Sequence, residues 1–71
     1  MDEFLSFVAE IMEVEPSELS ADTEYGVFPQ WDSVIHLQLV MEIEEKYGVE
    51  IPFYKVPEIR TLAEFYSYIE G

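Results

Sequence analysis

The chain has 71 residues, no cysteine, a single histidine and a formal net charge of −13. This length suits one domain, residues 1–71, with a thin core and no room for a deep catalytic pocket. The lack of cysteine excludes disulfides and thiolate metal sites, and the charge excludes nucleic acid and anionic membranes, which would repel it. Because 49% of the residues are hydrophobic and the N-terminus lacks a basic signal-peptide region, we expect a packed, soluble, cytoplasmic protein.

The first predicted element is an amphipathic helix over residues 2–14. Apolar residues recur there at helical spacing on one face, and acidic residues lie outside it. Pro16 interrupts the pattern, and we expect the turn after it to place Leu19 in the core. The apolar face consists of Phe4, Val8 and Ile11, with Leu5 and Met12 beside them.

Residues 20–31 form a predicted loop, because turn formers replace the helical pattern and alternate with apolar residues. A loop of this length is at the long end for a compact domain, and such loops are usually functional or held in place by their own side chains; we expect that both can hold here. Trp31, at its end, has two possible roles. It anchors the loop on the bundle, which we favour, or it contacts a partner protein.

The second predicted helix begins at Asp32 and runs to Tyr47. The Asp32 carboxylate is suited to cap the helix by accepting the free N–H groups of the first turn. Gly48 suits the position just after the helix. Lys46 is spaced to form a weak exposed ion pair with Glu42. The apolar stripe comprises Val34, Leu37, Val40, Met41 and Ile43, and the solvent side carries Glu42, Glu44 and Glu45.

After Gly48 the sequence prevents a long helix, because Pro52 and Pro57 interrupt it, and only a short helical turn over residues 54–56 is expected. The last helix has a clear start, since Thr61 and Glu64 have the spacing of a capping box. The predicted fold class is all-α: a small bundle of three main helices, with one short helical turn between the second and the last. The apolar face of the last helix comprises Leu62, Phe65, Tyr66 and Ile69.

Ser33 is the most informative residue, because it lies in the first turn of the second predicted helix. A hydroxyl there is exposed, and the free N–H groups and positive dipole end favour a phosphate on it. Taken alone, an Asp-Ser pair more often simply begins a helix. Here Asp32-Ser33-Val34 is followed by an acidic amphipathic helix, then by Tyr47-Gly48-Val49-Glu50-Ile51-Pro52 and Ile59-Arg60-Thr61-Leu62. In this order and spacing, the chain resembles the acyl carrier protein family over nearly all of its length.

The resemblance implies that Ser33 carries 4′-phosphopantetheine, transferred from coenzyme A by a magnesium-dependent transferase. The thiol of this arm would tether acyl groups as thioesters, so that a chain without cysteine takes part in thiol chemistry. The implied protein is a carrier and not an enzyme, a monomer whose partners are the transferase and the acyl-loading and acyl-transfer enzymes. Asp32 would cap the helix, present a charge to the transferase, or do both. The acids Glu42, Glu44 and Glu45 would meet basic docking surfaces on these partners.

Several residues depart from the pattern of this family. Ile35 and Gln38 stand where fatty-acid carriers usually have acids, and Phe53-Tyr54-Lys55 replaces an acidic stretch. The surface beside Ser33 is therefore expected to be more apolar than usual, which favours a specialised pathway over housekeeping fatty-acid synthesis. The resemblance names neither the cargo nor the pathway, and the bulky Phe, Tyr and Met residues leave open the size of any cavity for an acyl chain.

His36 lies three residues after Ser33, on the same face of the predicted helix. One hypothesis is that it contacts the phosphate or the arm, with a titratable ring that tunes the contact. A surface histidine that faces a partner protein is the more common arrangement, and we favour it.

Other functions have weaker support in the sequence. An enzyme with Ser33 as nucleophile and His36 as base would lack a third orienting group and an oxyanion hole. A calcium site would need a loop of alternating acids around a central glycine, and the sequence shows no such loop. Two alternatives stay open: a peptidyl or aminoacyl carrier of a non-ribosomal pathway, and an unmodified carrier-fold interaction module. The acid before Ser33 favours an acyl carrier over a peptidyl carrier modestly.

Overall fold

The computed structural model describes residues 1–70, which form a small all-α bundle, as the sequence predicts. The β-type pairing within these residues is limited to an isolated bridge between Glu24 and Thr61. Two 3₁₀ turns, Pro16–Glu18 and Val56–Glu58, lie in the connections. The three helices are α1 (Asp2–Met12), α2 (Ser33–Tyr47) and α3 (Leu62–Glu70).

Within residues 1–70, no helix has both the length and the apolar character that are needed to cross a bilayer.

Helix α1 ends at Met12 and not at residue 14, because Glu13 adopts the left-handed conformation with φ of 60°. The Glu13 amide donates to the Glu10 carbonyl (3.3 Å) and the Val14 amide donates to the Ala9 carbonyl (3.0 Å). These two bonds close the helix as a Schellman motif, which usually carries glycine at the left-handed position. A glutamate there gives no sequence signal, and so the predicted end was wrong.

The predicted start of α3 and end of α2 agree with the structure, whereas the short turn between them is shifted. The capping box forms, with the Thr61 amide donating to Glu64 Oε1 (3.0 Å) and the Glu64 amide to Thr61 Oγ1 (3.2 Å). Gly48 adopts the left-handed conformation after α2, with φ of 64°. The short turn lies at Val56–Glu58 and not at residues 54–56. Pro57 lies in its first turn, where a missing N–H costs no helical bond.

The predicted apolar faces of α1 and α3 pack on the core, although Ile11 is only half-buried and the buried Ala9 was not predicted, whereas the predicted stripe of α2 is partly wrong. Of the apolar stripe predicted on α2, Val34, Leu37 and Met41 are 69%, 58% and 65% exposed. Apolar residues surround much of this helix, so that spacing alone does not select the buried side. The buried face of α2 comprises His36, Leu39, Val40 and Ile43.

The loop of residues 20–31 is held in place, as one of its two predicted roles required. The Tyr25 amide donates to the Arg60 carbonyl (2.7 Å), and the Ala63 amide donates to the Ala21 carbonyl (3.0 Å), so that the loop is fastened to the start of α3. Trp31 is 1% exposed, which confirms it as the anchor of the loop. These contacts fix the position at which α2 begins.

Candidate functional site

Ser33 is the first residue of α2, and its side chain is exposed. The preceding residue, Asp32, is extended and caps the helix, its Oδ1 accepting the Ile35 amide at 2.9 Å. The predicted capping role of Asp32 is therefore confirmed. The His36 amide donates to the Asp32 carbonyl (2.8 Å), which is the first backbone bond of the helix.

The start of α2 is electrostatically suited to an anion. The amides of Ser33 and Val34 precede the first backbone bond of the helix and have no acceptor inside it. Together with the helix dipole, such amides favour a phosphate group. The Asp32 carboxylate is engaged with the Ile35 amide. A phosphate ester on the Ser33 hydroxyl therefore fits the chemistry of this helix end.

An open groove of about 380 Å³ lies beside Ser33. Its walls come from three parts of the chain: the loop of residues 20–31, the first turns of α2 and the segment around Val56. Apolar and aromatic side chains make up most of these walls, so that the groove suits an apolar or amphipathic occupant. The groove is lined by Tyr25, Ser33, His36, Leu37, Phe53, Val56 and Pro57.

His36 is 4% exposed, and the expected surface role is wrong. Its Nδ1 accepts the Trp31 indole N–H at 3.0 Å. An indole nitrogen can only donate, so that the proton of the neutral imidazole lies on Nε2, which donates to the Val56 carbonyl at 2.8 Å. Both ring nitrogens are therefore occupied inside the protein. Neither is left to bind a phosphate on Ser33, although an edge of the ring lines the groove.

Three further residues contact the His36 ring: Tyr25, Val56 and Phe65. These contacts were not predicted from the sequence. The Tyr25 and His36 rings stack with centroids 4.6 Å apart, and Phe65 packs against His36 at 5.4 Å. The available signal was a tryptophan five residues before a histidine across a helix start, because the indole N–H then lies within reach of the imidazole. The Val56 carbonyl has no signature in the sequence.

The acids of α2 are not all free to meet a partner. Glu44 Oε2 accepts the Ile51 amide at 2.7 Å, and so Glu44 holds the segment after α2. Glu42 accepts from Gln38 Nε2 at 2.9 Å, whereas the predicted pair with Lys46 is not formed. The Lys46 ammonium instead lies 5.1 Å from the centre of the Phe7 ring. Glu45 is exposed.

The exposed surface beside the groove is apolar. Val34, Leu37 and Met41 form a stripe along the solvent side of α2, and Phe53 and Tyr54 are 86% and 62% exposed nearby in the chain. A separate shallow groove on α2 is lined by this stripe together with Gln38, Glu42 and Glu45. Clustered exposed apolar side chains of this kind mark interaction surfaces. The surface near Ser33 thus carries exposed apolar side chains, whereas the comparison with fatty-acid carriers stays a prediction from the sequence.

A family model described as the phosphopantetheine attachment site matches residues 2–69. The match covers almost the whole chain, and the chain belongs to this family. The resemblance drawn from the sequence and the assignment of phosphopantetheine as the prosthetic group of the family are confirmed.

Similar proteins are named acyl carrier proteins. The meromycolate extension acyl carrier protein of Mycobacterium leprae (strain TN) is 30% identical over 73 aligned residues, which cover 97% of this chain and 64% of the relative. The acyl carrier protein of Wolinella succinogenes is 32% identical over 69 residues, covering 97% of this chain and 91% of the relative. That of Rhodococcus erythropolis (strain PR4 / NBRC 100887) is 30% identical over 63 residues, covering 89% and 69%. The chain spans 64% of the length of the mycobacterial relative. All three are named as carriers and not as enzymes, in agreement with the sequence prediction.

Proposed function

We propose that this chain is an acyl carrier whose Ser33 is the attachment point of 4′-phosphopantetheine. The observation that carries the proposal is the position of Ser33: an exposed hydroxyl on the first residue of α2, at the edge of an apolar groove, in a chain of the phosphopantetheine attachment family. The free amides at this helix end support a phosphate diester there.

When bound, the group supplies a thiol, which the chain itself lacks because it has no cysteine. The residues of the chain would hold and orient it. Asp32 fixes the start of α2, and therefore the place of the hydroxyl, through its bond to the Ile35 amide. Leu37 and Phe53 offer apolar walls of the groove to the arm. The gain for a partner enzyme is a high local concentration of the tethered substrate.

The partners of this carrier would include the phosphopantetheinyl transferase and enzymes that load and receive the acyl group. Their docking surface on this chain would be the exposed stripe of Val34, Leu37 and Met41, bordered by Glu42 and Glu45. A matching partner needs an apolar patch with basic residues at its edge. This mixed surface supports a specialised pathway over housekeeping fatty-acid synthesis.

Two other functions would use the same fold. A peptidyl or aminoacyl carrier would have the same attachment at Ser33 and differ in its cargo, and an unmodified interaction module would have none. The apolar stripe suits a protein partner in each case, and the presence of the group on Ser33 separates the module from the two carriers.

The attachment is tested by incubating the purified chain with coenzyme A, magnesium and a broad-specificity transferase, then measuring intact mass. We expect the mass of one phosphopantetheine to be added to the wild-type chain and to Ser6→Ala, a matched control at an exposed serine of α1. Ser33→Ala should stay unmodified. Addition to Ser33→Ala would move the attachment elsewhere, and no addition to folded wild type would favour the interaction module.

A further inference from the structure

The interior next to Ser33 is filled by a cluster of four rings, Tyr25, Trp31, His36 and Phe65, here called the aromatic plug. Trp31, His36 and Phe65 are each 4% exposed or less, and Tyr25 is half-buried. The Trp31 ring stacks on His36 at 5.8 Å between centroids and on Phe65 at 6.0 Å. These contacts place the plug between the start of α2 and α3.

The plug is also fixed by hydrogen bonds. Trp31 Nε1 donates to His36 Nδ1, and His36 Nε2 donates to the carbonyl of Val56. The two bonds join the end of the loop, the first turn of α2 and the short turn before α3. Displacing the His36 ring would leave the buried indole N–H of Trp31 without an acceptor, which is unfavourable. The Val56 carbonyl would lose the His36 donor and keep only the Ile59 amide, at 3.3 Å. The plug therefore resists being pushed aside by an entering alkyl chain.

The groove beside Ser33 stops at this plug. Tyr25 and His36 belong both to the plug and to the groove lining. The other lining residues named above stand outside the plug, and Phe53 is largely exposed. A group tethered at Ser33 therefore meets the stacked Tyr25 and His36 residues on the inner side of the groove, and the groove opens to solvent on its outer side.

From this arrangement we infer that the aromatic plug excludes the tethered acyl group from the helical core, and that this carrier presents its cargo in the outer groove. The substrate class is an acyl group that is short or polar enough not to require burial. A long alkyl chain would exceed the groove and lie in solvent or on a partner. The inference rests on the proposed attachment at Ser33 and adds to it the size class of the cargo.

The experiment uses the full chain loaded by a transferase with acetyl-, butyryl-, octanoyl- and palmitoyl-coenzyme A. Trp31 is the single tryptophan of the chain, so its indole N–H resonance in the NMR spectrum reports on the plug without ambiguity. We expect this resonance and the melting temperature to be the same for all four acyl groups. Because the arm itself contacts the same walls, the reference is the chain that carries unacylated phosphopantetheine. The backbone amide resonances of Leu37 and Phe53 should differ between this reference and the butyryl form.

An indole resonance that moves progressively with chain length, with a rising melting temperature, would overturn the inference, because it would show the chain entering the core. If the amide resonances of Leu37 and Phe53 were the same in the butyryl form and in the unacylated form, the assignment of the cargo to the groove would be wrong. Intact mass is measured on every sample. Absence of the added mass would refute the attachment at Ser33 and the inference with it, whereas a moved indole resonance in a loaded carrier would refute the inference alone.

A matched pair of variants tests the plug itself. Tyr25→Ala removes the outer ring, which lies 5.8 Å from Trp31 and 4.6 Å from His36. We expect an octanoyl chain to occupy the vacated space and to shift the indole resonance in this variant. Tyr68→Ala, at a half-buried tyrosine of α3 outside the plug, should behave as wild type. A folded Tyr25→Ala carrier with no octanoyl-dependent shift would contradict exclusion by these rings. The series on the wild-type chain decides the question if the variant does not fold.

Discussion

Both faces of α2 carry apolar side chains, but one face is buried and the other is exposed. The inner face holds His36 and Leu39 in the core, at 4% and 0% exposure, whereas Val34 and Met41 on the outer face are open to solvent. The inner face thus includes a polar residue, while several apolar residues of the same helix lie outside. The difference shows that the inner face is selected by the bonds of His36 to Trp31 and Val56 as well as by hydrophobicity. The outer face is left available for other molecules.

The largest effect on stability is expected when one residue on each face of α2 is truncated. Leu39→Ala removes a fully buried side chain and should lower the free energy of unfolding by about 2–5 kcal/mol. Met41→Ala, two residues along the same helix, should change it by less than about 0.5 kcal/mol because the side chain is exposed. Urea denaturation of both variants measures the effect. Similar losses for the two would contradict the assignment of faces.

A second test separates the bonds of His36 from its volume. His36→Phe keeps a ring in the plug but leaves the Trp31 N–H without an acceptor, at a cost of about 1–3 kcal/mol. The Val56 carbonyl loses the His36 donor and keeps the Ile59 amide. We expect a clear fall in the urea midpoint and a changed indole resonance. Leu37→Phe, on the exposed face next to it, is the control and should leave stability nearly unchanged. If His36→Phe were as stable as wild type, packing alone would explain the inner face.

Substitutions of Asp32, which caps the start of α2, should have a smaller effect on stability. Asp32→Ala removes the cap on the Ile35 amide and should cost about 0.5–2 kcal/mol. Asp32→Asn keeps an acceptor and removes the charge, so that its stability should stay close to wild type. Equal stability of all three chains would contradict the capping role. Comparing the loading rates of wild type and Asp32→Asn measures separately whether the transferase uses the charge.

The smallest effect concerns the charge on the outer surface. Sixteen acids face three basic residues, and the described residues contain one ion pair, Lys55–Glu58 at 3.8 Å. Repulsion among these acids should destabilise the fold, so that the melting temperature rises from about 0.01 M to about 1 M NaCl as the Debye length falls from about 30 Å to about 3 Å. Glu45→Gln should weaken the dependence. A flat or falling response in wild type would contradict the expectation.

The helix starts could be predicted because they depend on local chemistry. Asp32 and Thr61 each bond to amides within the next few residues, and a short sequence contains all of that information. The end of α1 could not, since nothing in the residue type of Glu13 indicates a left-handed conformation. Local signals thus fixed where α2 and α3 begin.

The orientation of α2 and the interior of the site depend on distant contacts. Both stripes of α2 have helical spacing, and the choice between them is made by Trp31, Val56 and Phe65, which come from three other segments. The position of Ser33 in the first turn of α2 could be predicted because it depends on local signals, and its role as the attachment point stays a proposal. The role of His36 could not be predicted, because it requires a backbone carbonyl 20 residues away.

The most direct measurement is made on the chain purified from its native cells. Proteolysis followed by fragment-ion mass spectrometry locates any modification at the level of single residues. We expect phosphopantetheine, free or acylated, on the fragment that contains Ser33. A chain that is always found unmodified at Ser33 would contradict the carrier function, whatever its fold.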